Sequence, residues 1–180
     1  MVEEAKGEII LGEFQNSRVI AVDSNLTREM HDKSRYGEPF GHKKFQYSLH
    51  EALYLIEKEK MEVYDGKKRL NFDAFNKKAK KFEPNFLIRH AVFRDLRNRG
   101  YIVKTALKFG ADFRVYDRGV KPGDDHAKWV VFTVPEGDTL TWYEFAAKNR
   151  VAHSTRKRLL LAIVDDESEV TFYEVNWVRP

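Results

Sequence analysis

Three residues in the second half of this 180-residue chain have side chains suited to chemistry and stand where strands are expected to end. Tyr116 closes the alternating stretch that begins at Phe113. His126 opens the next stretch, after a polar loop of nine residues, Asp117 to Asp125, that holds Gly119, Pro122 and Gly123. Lys157 stands just before the apolar run from Leu159 to Val164. An imidazole exchanges protons near neutral pH, an ammonium supplies a compact positive charge, and a phenol donates and accepts hydrogen bonds. If the three strands are neighbours, these groups converge at one rim of a sheet. Each also has an ordinary explanation. Tyr116 could be a rim residue, His126 a surface ion partner after Asp124-Asp125, and Lys157 one of the solvated cations in Arg156-Lys157-Arg158.

Other chemistries are excluded or unsupported. The chain has no cysteine, which removes a disulfide scaffold, a thiolate zinc site and a cysteine nucleophile. It has no phosphate-binding P-loop, GxGxxG, HExxH or GxSxG string. His31, His42, His50, His90 and His153 are scattered, with no carboxylate at metal-ligand spacing, so no metal site is expected. No apolar run approaches the ~18 residues that span a bilayer. The opening Met1-Val2-Glu3-Glu4 is acidic and polar, unlike a secretory leader. A cytoplasmic protein without membrane association is the expectation. The net charge of +4 permits a nucleic-acid partner without demanding one. The first 83 residues carry 16 basic and 15 acidic groups and the remainder 16 and 13, so the small excess sits mostly in the second half. Many charges without cysteine also suit a heat-adapted protein.

The elements that must position the three residues can be read from local pattern. Gly7 to Phe14 and Arg18 to Val22 read as paired strands around the turn Asn16-Ser17. Ser24 suits the cap of a short helix to about Ser34, and Gly37, Pro39 and Gly41 mark a loop. Ser48-x-x-Glu51 is a capping box. It opens a helix with Leu49, Ala52, Leu53 and Ile56 on one face. Asp65-Gly66 is a turn, and a second short helix holds Phe72 and Phe75 before the lysines at 77, 78, 80 and 81. That cluster could touch phosphate, but cations on a solvated helix end explain it better. Glu83-Pro84 is the boundary candidate, dividing the chain into 1–83 and 84–180. Pro84 suits a helix start. Phe86, Ile88, Val92, Phe93 and Leu96 then pattern a helix that stops at Gly100. Strands follow at Tyr101 to Leu107, Phe113 to Tyr116 and Lys128 to Val134. Thr141-x-x-Glu144 is a second capping box, opening a helix from Trp142 to about Lys148. Leu159 to Val164 reads as a strand buried on both faces, and Val170 to Val178 as the last. The fold class is α+β: a small N-terminal α/β domain, then a C-terminal mixed-sheet domain with flanking helices.

The stretch Tyr101 to Tyr116, with His126-Ala127-Lys128-Trp129, Arg150-Val151-Ala152 and Lys157, resembles the archaeal tRNA-splicing endonucleases of the short-chain, homotetrameric type. The resemblance covers most of residues 84 to 180, and its sharpest part is Lys108-Phe109-Gly110-x-Asp112-Phe113-x-x-Tyr116 followed by His126 and Lys157. Residues 1–83 match in size and layout, as a structural and assembly domain. Ala106 stands where many relatives have glycine, in what reads as a strand away from the site. The resemblance implies cleavage of precursor tRNA at a bulge-helix-bulge, leaving a 2′,3′-cyclic phosphate and a 5′-hydroxyl, with no metal or other cofactor. It implies that Tyr116 is the general base toward the 2′-hydroxyl, His126 the general acid toward the departing 5′-oxygen, and Lys157 the cation that stabilises the charged phosphorane. Such a reaction needs one base, one acid and one cation in line across phosphorus. A phenol is a poor base without a cation beside it, so Tyr116 either takes the proton or only holds the hydroxyl by a hydrogen bond.

The resemblance also implies a pair of residues that pinch a bulged base, since guanidinium and indole planes stack on bases without reading sequence. Arg150 matches the first arm, and Trp177 or Arg179 the second. Two bulges ask for two active sites at fixed spacing, which favours a symmetric assembly. Relatives of this length are homotetramers, dimers of dimers. The acidic turn Asp165-Asp166-Glu167 matches the loop that docks onto a neighbouring subunit, although it also reads as an ordinary polar hairpin turn. Rival readings are a non-catalytic RNA-binding subunit and a metal-dependent DNA nuclease built on carboxylates such as Asp112.

Overall fold

Alternation with period two sets the first strand: Ile10, Gly12 and Phe14 are buried while Leu11, Glu13 and Gln15 face out. The structure, a computed structural model, describes residues 9–123 and 125–180. The expected strand opening at Gly7 and Glu8 therefore lies outside the described residues, as does Asp124. The chain divides into two compact units, Met1–Phe86 and Leu87–Pro180.

In the first unit, β1 (Ile10–Gln15) pairs antiparallel with β2 (Arg18–Val22). Gly12 is required there, because a Cβ would stand 2.5 Å from the Val19 side chain. Ser24 caps α1 (Asn25–Ser34) in a reciprocal box with Thr27. Short strands β3 (Glu38–Pro39) and β4 (Lys44–Ser48) follow, then α2 (Leu49–Glu57). The Ser48–Glu51 box is present, and Leu49, Ala52 and Leu53 are fully buried. Strands β5 (Met61–Asp65) and β6 (Lys68–Leu70) flank the turn at Gly66, and Asn71 caps α3 (Phe72–Ala79). The sheet order is β3-β4-β2-β1-β5-β6, antiparallel except between β1 and β5.

α4 (Phe86–Asn98) does not begin at Pro84. Asn85 takes a left-handed conformation (φ 59°), so the helix starts one residue after it. In the second unit the chain leaves α4 at Gly100 (φ 87°) and enters β7 (Ile102–Thr105). The expected strand to Leu107 is cut short by a 3-10 turn, Leu107–Phe109. β8 (Phe113–Tyr116) and β9 (Trp129–Pro135) complete the antiparallel part. α5 (Trp142–Ser154) runs to Ser154, past the expected end near Lys148, and carries the chain over to β10 (Arg158–Val164), parallel to β9. β11 (Val170–Val175) returns antiparallel and ends three residues before Val178. The order is β11-β10-β9-β8-β7. Ala106, Ala111, Val130, Phe132, Ala152, Leu159 and Leu161 form the core under α5. The architecture is the mixed α+β, two-domain arrangement expected. Among the described residues no helix is long and apolar enough to cross a membrane.

Candidate active site

Strand register decides which side chains meet. The Lys128 N–H donates to the Val115 carbonyl at 2.9 Å, and the Arg158 N–H to the Lys128 carbonyl at 2.9 Å. The C-terminal end of β8 therefore lies beside the N-terminal ends of β9 and β10. Tyr116 ends β8, His126 precedes β9 and Lys157 precedes β10, so all three reach one rim of the sheet. There they line a cavity of about 370 Å³ together with Phe109, Arg114, Gly123, Asp125 and Ala127.

Each of the three is held differently. Tyr116 is buried to 5% exposure as a wall of the cavity, and among the described residues its hydroxyl has no hydrogen-bond partner. His126 is exposed; its own backbone N–H is anchored on Asp125 Oδ1 at 2.6 Å, while its ring is unbonded among the described residues. Lys157 is placed by the stop of α5. Arg156 turns left-handed (φ 54°) and the Lys157 N–H bonds back to the Ala152 carbonyl at 2.9 Å, a helix-ending pattern that normally favours glycine. The Lys157 Nζ then donates to the Thr155 carbonyl at 2.9 Å and lies 5.5 Å from the centre of the Phe109 ring. The hydroxyl and the imidazole are thus free to take a substrate, and the ammonium keeps donors to spare beyond its one carbonyl.

The loop between Tyr116 and His126 is tied down at its start. Asp117 accepts from Lys128 Nζ at 2.7 Å and from the Arg118 N–H at 3.0 Å. The Lys128 bond, followed by that backbone bond, holds the Asp117 carboxyl below its ordinary value. Ala106 does not lie in a strand. It lies beyond β7 as the residue that opens the 3-10 turn, and Phe109 on that turn is a cavity wall. Its φ of −126° is not left-handed, so the backbone there does not require glycine.

Asp112, the carboxylate of the metal-nuclease rival, is fully engaged in structure. Its Oδ1 pairs with Arg89 Nε at 2.9 Å and its Oδ2 accepts the Thr133 N–H at 2.7 Å. His50 is likewise committed, 2.9 Å from Glu83 and stacked on Phe86.

A second hollow, an apolar groove of about 740 Å³, runs between α5 and the segment after β11. Arg150, His153 and Trp177 line it, with Trp177 edge-on to His153 at 5.1 Å. Arg179 is exposed and does not line it. In the β10–β11 turn, Asp165 Oδ1 accepts the N–H groups of Glu167 and Glu169, both at 2.9 Å, so this carboxylate shapes the turn. Asp166 and Glu167 are exposed. The sequence assigns neither Arg114 nor Phe109 a role in the site: Arg114 falls inside the strand Phe113 to Tyr116, and Phe109 belongs to the string that carries the resemblance.

Residues 86–172 match the family model described as tRNA intron endonuclease, catalytic C-terminal domain. Residues 10–76 match that of the N-terminal domain of the same family. A tRNA-splicing endonuclease of Nanoarchaeum equitans is 51% identical over 138 residues, covering 73% of this chain and 88% of that protein. One from Thermococcus gammatolerans is 40% identical over 92% of this chain and 96% of its own length. A third, from Methanothermobacter thermautotrophicus, is 38% identical over 94% of this chain and 98% of its own length.

Proposed function

The chain belongs to the tRNA intron endonuclease family, and from that premise we propose that Tyr116, His126 and Lys157 make the cut. The protein is an enzyme that excises introns from precursor tRNA. The 2′-oxygen beside the scissile phosphate attacks phosphorus and the P–O5′ bond breaks. A 2′,3′-cyclic phosphate and a 5′-hydroxyl result, as from a lyase that needs no metal. Tyr116 takes or holds the 2′-hydroxyl proton, His126 protonates the departing 5′-oxygen, and Lys157 stabilises the charge gathering on the phosphorane. The observation that carries this reading is the shared cavity of about 370 Å³ with all three side chains in its wall.

Arg150 and Trp177 at the walls of the apolar groove suit a bulged base held between stacking planes, with Arg179 as the other candidate for the second arm. The substrate is a bulge-helix-bulge precursor. The assembly is a homotetramer, a dimer of dimers, acting in the cytoplasm. In its favour, β11 is an edge strand with one unpaired side, suited to pairing across a two-fold axis, and Asp166 and Glu167 are exposed for docking onto a neighbouring subunit alongside Asp165. Residues 1–83 serve structure and assembly, and 84–180 catalysis. The test is incubation with an intron-containing precursor in EDTA, followed by end-group analysis of the fragments. Cleavage with cyclic-phosphate and 5′-hydroxyl ends is expected. Loss of activity in EDTA, or 5′-phosphate ends, would overturn the mechanism.

A further inference from the structure

We propose that Arg114 is a fourth catalytic group, a guanidinium that grips the non-bridging phosphoryl oxygens of the scissile linkage; the inference rests on the site assigned above. Arg114 and Tyr116 are two apart on β8, so their side chains leave the same face of the sheet, and both line the cavity. Phe113 and Val115 are buried on the other face. The cross-strand neighbours of Arg114 are Lys104 and Val130, a second cation and an aliphatic group, neither able to accept from a guanidinium.

Among the described residues Arg114 is half-buried yet lacks the carboxylate that three other arginines of this unit have. Arg89 has Asp112 at 2.9 Å, Arg99 has Asp95 at 2.7 Å and Arg158 has Glu174 at 3.0 Å. Among the described residues the Arg114 side chain has no carboxylate and no hydrogen bond, and its Nε is shut off from solvent without a partner. The described acid in the cavity wall, Asp125, has Oδ1 occupied by the His126 N–H. A half-buried cation lacking its counter-ion, in the wall that holds the acid and the base, is a site for an anion.

The reaction brings that anion. As the O2′–P bond forms and the P–O5′ bond breaks, the 2′ proton leaves toward Tyr116 or solvent and His126 delivers one to O5′. Charge gathers on the two non-bridging oxygens throughout. A planar guanidinium meets two such oxygens with parallel N–H bonds, whereas the Lys157 ammonium acts as a point charge. The two cations therefore divide the work: Arg114 orients the phosphoryl group and Lys157 adds charge.

The test compares Arg114→Gln and Arg114→Lys with the parent enzyme in single-turnover cleavage of a precursor, with His126→Ala run alongside. We expect the glutamine variant to be ~10²-fold slower or worse, the loss typical of a deleted oxyanion donor. The lysine variant should recover only part of this, and RNA affinity should change less than about threefold in both, as expected for a contact made mainly in the transition state. Substrates with sulfur in place of one or the other non-bridging oxygen supply the readout that a structural role would not move. The parent should discriminate between the two diastereomers, and the variants should lose that discrimination. A glutamine variant within threefold of the parent, or unchanged discrimination in either variant, overturns the proposal. If the glutamine variant does not fold, the lysine variant alone decides by the same two readouts. If His126→Ala is also fully active, the site assignment itself has failed; if only His126→Ala is slow, the role of Arg114 alone is wrong.

Discussion

Removing the imidazole of His126 is the sharpest test of the acid-base assignment, because the ring does no structural work. It is exposed and makes no hydrogen bond among the described residues, so His126→Ala should change stability by no more than ~0.5 kcal/mol, as surface substitutions do. The backbone N–H that anchors the loop on Asp125 is kept in the variant. A positioned general acid contributes ~10²–10⁴-fold. Because a 5′-alkoxide leaves poorly without its proton, the middle of that range applies: ~10³-fold, or about 4 kcal/mol of barrier. Single-turnover cleavage with enzyme in excess reads this step alone. RNA affinity, set by many phosphate contacts, should move less than about threefold. A substrate with sulfur at the 5′ leaving position then tests the role itself. A thiolate, with an ordinary pKa of ~8.5, departs without an acid, so the gap between variant and parent should shrink to less than tenfold. If the full gap persists on the sulfur substrate, or if the loss appears as weaker RNA binding, His126 is not the proton donor.

Tyr116→Phe keeps the buried ring and removes only a hydroxyl that has no partner among the described residues, so thermal midpoint should hold while cleavage slows by ~10²-fold; a rate within twofold of the parent would leave the phenol without a role. Asp112→Ala breaks a charge-assisted pair to Arg89 and the bond to the Thr133 N–H, and should cost about 2–4 kcal/mol in denaturant unfolding. Asp112→Asn, which retains the Thr133 bond, should cut RNA at the parental rate per folded molecule in EDTA; a chelator-sensitive or dead Asn variant would revive the metal-nuclease reading. The Glu174 carboxyl is held below its ordinary value, first by the Trp129 indole N–H at 2.6 Å and further by Arg158. A depressed carboxylate stabilises the fold above its unfolded value of ~4.3 and loses that contribution as pH falls through the lower folded one. Glu174→Gln should therefore flatten the fall in stability below pH ~4, and an unchanged acid limb would contradict the assignment.

What could be read without coordinates was local. The capping boxes Ser48–Glu51 and Thr141–Glu144, the Ser24 cap and the stop at Gly100 depend on residues within four positions of each other, and all are present. The alternation of Phe113 to Tyr116 and the apolar run from Leu159 to Val164 marked strands for the same reason. Elements with weak or interrupted patterns escaped. Strands β4, β5 and β6 hold only one or two buried positions each (Phe45 and Tyr47, Met61 and Val63, Leu70), too few to set a period, and the two-residue β3 has no periodicity at all. Beyond β7 the chain opens a 3-10 segment at Ala106, and that segment brings Phe109 to the cavity, although Leu107 and Phe109 alternate as a strand would.

Residue types and local pattern were enough to mark Tyr116, His126 and Lys157 as groups able to do chemistry near strand ends. That those ends share one rim came from the folded sheet, in which β8 runs antiparallel to β9 while β9 runs parallel to β10. It also placed Arg114 in the wall of the same hollow, with no counter-ion among the described residues. Helix caps and alternation are settled by neighbours along the chain, but strand order and register are settled by which distant surfaces bury each other, and a linear pattern carries no record of that choice.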